Sequence, residues 1–289
     1  MCYNRSESMS KITDIRPSPL AGSWYPANPD KLAETVDLYI QQAVIPEISG
    51  DIIALISPHA GHVYSGPVAG CCFASLRDLR SDLVVILSPY HQYHPEAILT
   101  TSHQAYQTPL GIVPVDLEIL DAVDLALQER AGLQLTRIKN DSEHAVEILL
   151  PFFQRTLLGE FRLLPLMIRQ QDPVLMQTLG TILADLIKKK KTILTASTDL
   201  SHFHPADKAR ELDQTIINQI KALNPDGLFR AQDQGSGYAC GIGALAAVIW
   251  AAKDEPPVTA HQLCYAHSGD ITGDNSNVVG YTAAVISRE

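Results

Sequence analysis

Three apolar runs in this chain pass directly into histidine. "DIIALIS" leads to Pro58-His59, "LVVILSPY" to His91 and His94, and "TILTAST" to Asp199, His202 and His204. The chain has ten histidines in all, so the repetition at one kind of position marks His59, His91 and His202 as a group. An imidazole offers either a metal-ligating lone pair or a proton carrier near neutral pH. Two neutral imidazoles and one anionic ligand make a facial metal site with open positions. A carboxylate as third arm suits non-haem iron, and a thiolate shifts the site toward softer metals, copper and zinc among them. Other segments add candidates. "DSEHAVE" starts a predicted helix capped by Asp141 or Ser142, with Glu143 and His144 in its first turn. "GYACGIGA" places Cys240 at a helix entry, where the dipole lowers a thiol's pKa and makes it a good nucleophile or ligand. Asp199 is either a site carboxylate or the cap of the next helix. A histidine not bound to metal could act as acid or base, and a metal-free site with Cys240 attacking and a histidine as base is equally open. Residue types alone do not choose among these.

Such residues need elements that bring them together. Strands are predicted at "DIIALIS", "LVVILS", "FRLLPLMI", "TILTAST", "AHQLCYAHS" and "NVVGYTAAVIS". Between them lie helix-like runs: "GPVAGCCFASLRDL", "DLEILDAVDLALQER", "SEHAVEILLPFFQRTL", "DPVLMQTLGTILADLIKKK", "DKARELDQTIINQIKAL" and "CGIGALAAVIWAAK". Several strands are almost continuously apolar, as strands covered on both faces are. The alternation predicts a single α/β domain, with a mostly parallel central sheet and helices on both faces. In such sheets ligands bind beyond the carboxyl ends of the strands, where the three histidine-bearing loops fall. His94 and His204 are expected at the rim and His62 at the mouth.

Composition narrows the function. A net charge of −10 over 289 residues argues against a nucleic-acid surface, which needs clustered cations. The basic run Lys188–Lys191 closes a predicted helix and complements its dipole. No apolar stretch has the length of a membrane span. The first fifteen or so residues read as a loose arm without the apolar core of a signal peptide. The five cysteines include no Cys-x-x-Cys pair, so neither a disulfide framework nor a zinc knuckle is predicted. Cys71, Cys72 and Cys264 are expected in the core, and a reducing cytoplasm is the simplest compartment.

The segments "AGSWYP", "PHAGHVYSG", "SPYH", "SEHAVEILLP", "STDLSHF" and "CGIGA" resemble, in order, the signature segments of the Memo family, named AmmeMemoRadiSam system protein B in bacteria and archaea. The resemblance runs from about residue 20 to the C-terminus. With the arm over 1–15 set apart, it implies a Memo-like domain over 16–289 and a fold similar to the class III extradiol dioxygenases of the protocatechuate 4,5-dioxygenase type. It further implies His59, His91 and Cys240 as metal ligands, Cys240 standing where the dioxygenases have a glutamate. Asp199 matches the family's vestibule aspartate, in or beside the ligand set, and His202 resembles the dioxygenases' acid–base histidine, so these two are the implied catalytic residues; Glu143 and His144 are read as further pocket residues. Fe(II) or copper, and then zinc, are the implied ions. Animal members carry a second histidine where this chain has Gln92, and another where it has Leu149. The resemblance thus implies a metal-dependent, dioxygenase-like oxidoreductase acting on an unidentified small molecule, or a non-catalytic module holding a peptide or small anionic ligand in the same pocket. The bacterial name implies companions of the AMMECR and radical-SAM types.

Overall fold

In the computed structural model, residues 12–188, 190–254 and 257–289 are described. In chain order the strands are β1 (Ile15–Arg16), β2 (Asp51–Ser57), β3 (Leu83–Pro89), β4 (Ile98–Thr101), β5 (Ala105–Thr108), β6 (Gly111–Pro114), β7 (Thr136–Ile138), β8 (Arg162–Ile168), β9 (Thr192–Ser197), β10 (His202–His204), β11 (Val258–His267) and β12 (Val278–Arg288). The helices are α1 (Pro29–Gln42), α2 (His62–Ala74), α3 (Leu117–Ala131), α4 (Leu150–Thr156), α5 (Pro173–Ile187), α6 (Ala206–Lys221), α7 (Pro225–Asp233), α8 (Ile242–Lys253) and α9 (Gly269–Thr272).

The large sheet runs β10-β12-β2-β9-β3-β8-β4-β7, with β11 also paired to β12. Its centre, β2-β9-β3-β8, is parallel, and these strands are buried along most of their length. Antiparallel pairs flank the centre on both sides, β12 against β2 and β4 against β8. A separate small sheet has the order β1-β5-β6. Helices α1, α2 and α4 pack together, and α5, α7 and α8 form another group. Helix α8 is apolar on nearly every face because nearly all of it is buried. Helix α1, which the strand-and-helix pattern did not show, starts at an Asn28 side-chain cap with Pro29 in its first turn, and buries Leu32, Val36 and Ile40 at four-residue spacing.

The glycines of "SGPVAG" have a packing reason. A Cβ on Gly70 would lie 2.5 Å from the Tyr39 carbonyl oxygen, and one on Gly66 would strike the Tyr39 ring. Helix α2 therefore sits directly on α1, which holds the loop before it in place.

Several expectations need correction. Of the arm predicted over 1–15, residues 1–11 lie outside the described residues. The Thr13 and Asp14 backbone N–H groups already donate to Gln104, and Ile15 pairs with Ala105. The predicted helix over 142–157 forms only from Leu150, after a short 3-10 turn at Glu147–Leu149. Cys71 and Cys264, expected as free core thiols, are paired in a disulfide with their Cα atoms 6.6 Å apart. They are separated by 193 residues, so local spacing carries no sign of the pair. Within the basic run, Lys188 pairs with Asp254 and Lys190 with Asp116. Among the described residues, no helix is long and apolar enough to cross a membrane.

Candidate functional site

Strand β9 lies between β2 and β3, with Ser57 level with Ser197 and Leu87 level with Ala196. The loops that follow all three strands therefore leave the sheet at the same height. They bring His59, Asp199 and His91 to one edge. The Asp199 carboxylate accepts the His59 backbone N–H at 2.8 Å. The His59 and His91 ring centroids are 5.2 Å apart at 85°. Cys240 arrives from the other direction, just ahead of α8. Its Sγ lies 3.3 Å from His59 Nε2 and accepts the Asp199 backbone N–H at 3.2 Å. This close approach requires Gly241, where a Cβ would sit 2.6 Å from the Ser197 carbonyl oxygen.

The hydrogen bonds decide which imidazole nitrogens are available. The Ser197 hydroxyl donates its only proton to the Ala145 carbonyl at 2.7 Å, so at 2.9 Å from His59 Nδ1 it must accept. His59 therefore carries its proton on Nδ1 and leaves the Nε2 lone pair facing Cys240. The His91 ring does the same through a different partner, Nδ1 donating to the Glu143 carboxylate at 2.9 Å. A carboxylate or hydroxyl behind a ligating histidine is the usual device for fixing its tautomer and aim. Burial, together with the neighbouring His144, His91 and His202 rings, holds His59 well below its ordinary pKa, so it is neutral at pH 7.

Glu143 is nearly inaccessible, at 2 % exposure. Burial alone would raise its pKa, but donors from the His91 ring and backbone outweigh it and hold the carboxyl at about 2. It also accepts the backbone N–H groups of His144 and Ala145. This explains why residues 141–146 are not helical. Carboxylates and Arg16 already satisfy the backbone there, and a helix would forfeit those bonds. His91, Glu143 and His144 also place ligand atoms within 4.8 Å of one another, as His59, His91 and Cys240 do. However, the His91 and His144 rings are stacked at 4.5 Å and 22°. Near-parallel rings do not aim two in-plane lone pairs at one ion. The second group is a hydrogen-bonded support for the first.

Trp24 stacks on the outer face of His144 at 4.4 Å, and His144 is held to about 4, chiefly by burial. His202 sits at a bulge in the β10–β12 ladder, with its ring 5.6 Å from Tyr238 and its buried Nε2 without a hydrogen-bond partner. His62 is not at the mouth. It is 2 % exposed, and its Nε2 is bonded to the Ile148 carbonyl. His94 and His204 are half-buried.

The expected lowering of the Cys240 pKa is reversed. The thiol is 6 % exposed and lies before Gly241, the N-cap of α8. Burial pushes it up, and the adjacent Asp199 adds to the effect. A thiolate there needs a cation beside it. Sequence reasoning missed three supports. The Gln171 amide donates to the Cys240 carbonyl at 2.9 Å and accepts the Gly243 N–H at 2.7 Å. Thr198 accepts the Gly241 N–H. Arg16 binds the Asp141 carboxylate and the Glu143 carbonyl. Polar residues flanking the motifs were the only sign of them.

Asp199 is also buried, and burial raises its carboxyl to about 7. The folded protein thus holds a proton that the unfolded chain releases near pH 4, so this group's contribution to stability falls as pH rises from about 4 to 7. In metal-free protein the expected loss from this group is up to about 4 kcal/mol across that window. Asp199→Asn keeps an acceptor for the His59 N–H and removes the titration. The buried histidines, held below their ordinary pKa, tilt parent and variant alike in the opposite direction, so the signal is the difference: in urea unfolding at a series of pH values the parent should lose stability relative to Asp199→Asn between about pH 4 and 7, and a pH-independent difference would refute the assignment.

A sequence model of the Memo-like protein family matches residues 16–285. The chain belongs to the Memo family. Similar members include the MEMO1 family protein Mbar_A1422 of Methanosarcina barkeri, 33% identical over 94% of this chain and 100% of that one. MK0963 of Methanopyrus kandleri is 33% identical over 94% and 99%. Among solved structures, the uncharacterized protein JW3007 of Escherichia coli K12 shares the fold, with a TM-score of 0.50 at 14% identity, covering 81% of this Memo-family chain and 99% of that one.

Proposed function

We propose that this Memo-family chain is a metal-dependent redox enzyme acting on a small molecule. In this reading His59, His91 and Cys240 hold one Fe(II) or copper ion, with zinc as the non-redox competitor. The observation that carries it is the convergence of two fixed imidazole lone pairs and one buried thiol, with ligand atoms within 4.8 Å of one another. Two imidazoles and a thiolate suit a borderline or soft ion. The ion would supply one-electron chemistry and an open coordination position. The protein's own residues do the rest. Ser197 and Glu143 keep both imidazoles aimed inward. His202 presents a buried, unbonded Nε2, suited to passing a proton to or from a bound substrate. Asp199, poised at about 7, is a proton store beside the ligands. A metal-free hydrolase is disfavoured because burial raises the Cys240 thiol, the opposite of what a nucleophile requires. A cytoplasmic setting and companions of the AMMECR and radical-SAM types belong to the same proposal.

A second reading, a non-catalytic binding module, draws on the exposed aromatic side chains Trp24, Tyr64, Phe203 and Tyr238. Trp24 stacks on His144, while Phe203 and Tyr238 flank His202. Metal content of protein purified without oxygen, followed by reductant-dependent O₂ consumption, separates the two. One ion per chain with O₂ uptake supports the enzyme. Protein that takes up no metal under those conditions leaves the binding module.

A further inference from the structure

Cys71 lies on α2 and Cys264 on β11, and no part of the candidate metal site uses either. Their Cα atoms are 6.6 Å apart, inside the range a disulfide spans without backbone movement. One local feature produces the approach. In β11 the ladder to β12 slips between Gln262 and Cys264, and a bulge of that kind re-aims the next side chain. Without the slip, Cys264 would keep the facing of Gln262; with it, the thiol meets α2. The adjacent Cys72 does not compete. It is fully buried and donates to the Ile56 carbonyl at 2.9 Å, and burial pushes its pKa to about 12.

The geometry points to Cys71 and Cys264 as a reversible dithiol–disulfide pair, a modification site separate from Cys240, that exchanges with low-molecular-weight disulfides and staples α2 to β11. Cys264 is the point of entry. It is half-buried on a strand that, among the described residues, pairs with β12 alone, whereas Cys71 is 7 % exposed. The Cys264 thiolate attacks one sulfur of the incoming disulfide and releases one small thiol. The Cys71 thiolate then attacks the mixed disulfide at Cys264 and releases the second. Two protein thiols lose two protons and two electrons, and one small disulfide becomes two thiols. The staple matters for the site because α2 follows directly on the His59 loop: the His62 N–H at its start bonds the Trp24 carbonyl, and its far end carries Cys71.

The test is equilibration of the full chain with glutathione at graded reduced-to-oxidised ratios, differential alkylation, and peptide mass analysis. The expected result is a single cross-linked species joining Cys71 and Cys264, fully reversed by dithiothreitol. In Cys71→Ser, glutathione should be trapped on Cys264 and not on Cys72 or Cys240. The bridge ties residues 193 apart, so the Tm should fall by about 5–10 °C on reduction of the parent. Cys264→Ser should show no such difference between oxidising and reducing buffer. A Cys71–Cys264 peptide that never forms, even with diamide, overturns the pairing. A bridge that forms without moving the Tm overturns the staple.

Discussion

His59→Ala and His91→Ala are each expected to weaken binding of Fe(II), Cu(I) and Zn(II) by about 100-fold or more. Zinc-finger sites bind zinc with roughly 10–16 kcal/mol through four ligands, so on that scale one arm accounts for about 3 kcal/mol. The two substitutions differ in what they leave behind. Without the His59 ring, Cys240 loses the neutral partner 3.3 Å away and stays protonated in its buried position. Without the His91 ring, Glu143 loses its side-chain donor but keeps the N–H groups of His91, His144 and Ala145, so its loop holds. On the proposed reading, His202→Ala should retain metal binding within a few-fold, because His202 belongs to neither group of converging ligand atoms, and should abolish O₂ consumption. Anaerobic equilibrium dialysis of the three variants decides the matter. If both alanine variants bind every ion as the parent does, the metal site is not in this cleft and the binding-module reading stands.

Arg16→Ala costs about 3–5 kcal/mol of folding stability, the usual penalty for stranding one half of a buried ion pair. Arg16 and Glu147 are both 0 % exposed, with Nη1 and Oε2 2.5 Å apart. The same guanidinium forks onto the Asp141 carboxylate at 3.1 and 3.0 Å and donates to the Glu143 carbonyl at 2.9 Å. Glu147 is satisfied from the other side by Ser18 and Tyr25, so loss of Arg16 leaves a buried carboxylate with neutral donors alone. Arg16→Lys recovers only part of the loss, since an ammonium cannot reproduce the planar fork. Arg16→Ala with Glu147→Gln costs less than the sum of the single changes, because the stranded charge is gone. Because Arg16 holds the segment that carries Glu143, metal affinity should fall about 10–100-fold even in the folded fraction. Urea unfolding, with metal titration on the folded protein, checks both parts. A loss under about 1 kcal/mol would mean that this cluster does not anchor the loop.

Much of this was legible in the chain itself. The parallel core could be read because β2, β3, β8 and β9 are buried on both faces and so carry continuous apolar runs. The site histidines could be read because parallel strands end on one edge, so His59, His91 and Asp199 share it wherever the loops go. Cys240 was visible through its neighbours Gly241 and Gly243, the small residues at the start of α8. These are local consequences of composition and strand direction.

Other features depended on pairs distant in sequence, and only the tertiary structure decided them. Arg16 meets Glu147 across 131 residues, and Cys71 meets Cys264 across 193. Neither pair has a spacing that a sequence pattern can show. The 141–146 segment has helix-like residues, yet Glu143 and Arg16 draw its backbone into other bonds. A helix terminus would acidify the Cys240 thiol, but burial beside Asp199 outweighs the dipole. The sequence determined which strand-end side chains, His59, His91 and Asp199, share the edge of the candidate site, because strand ends and apolar period are written locally. The tertiary structure determined their proton positions and pKa directions, because those depend on which distant donors and how little water surround each group.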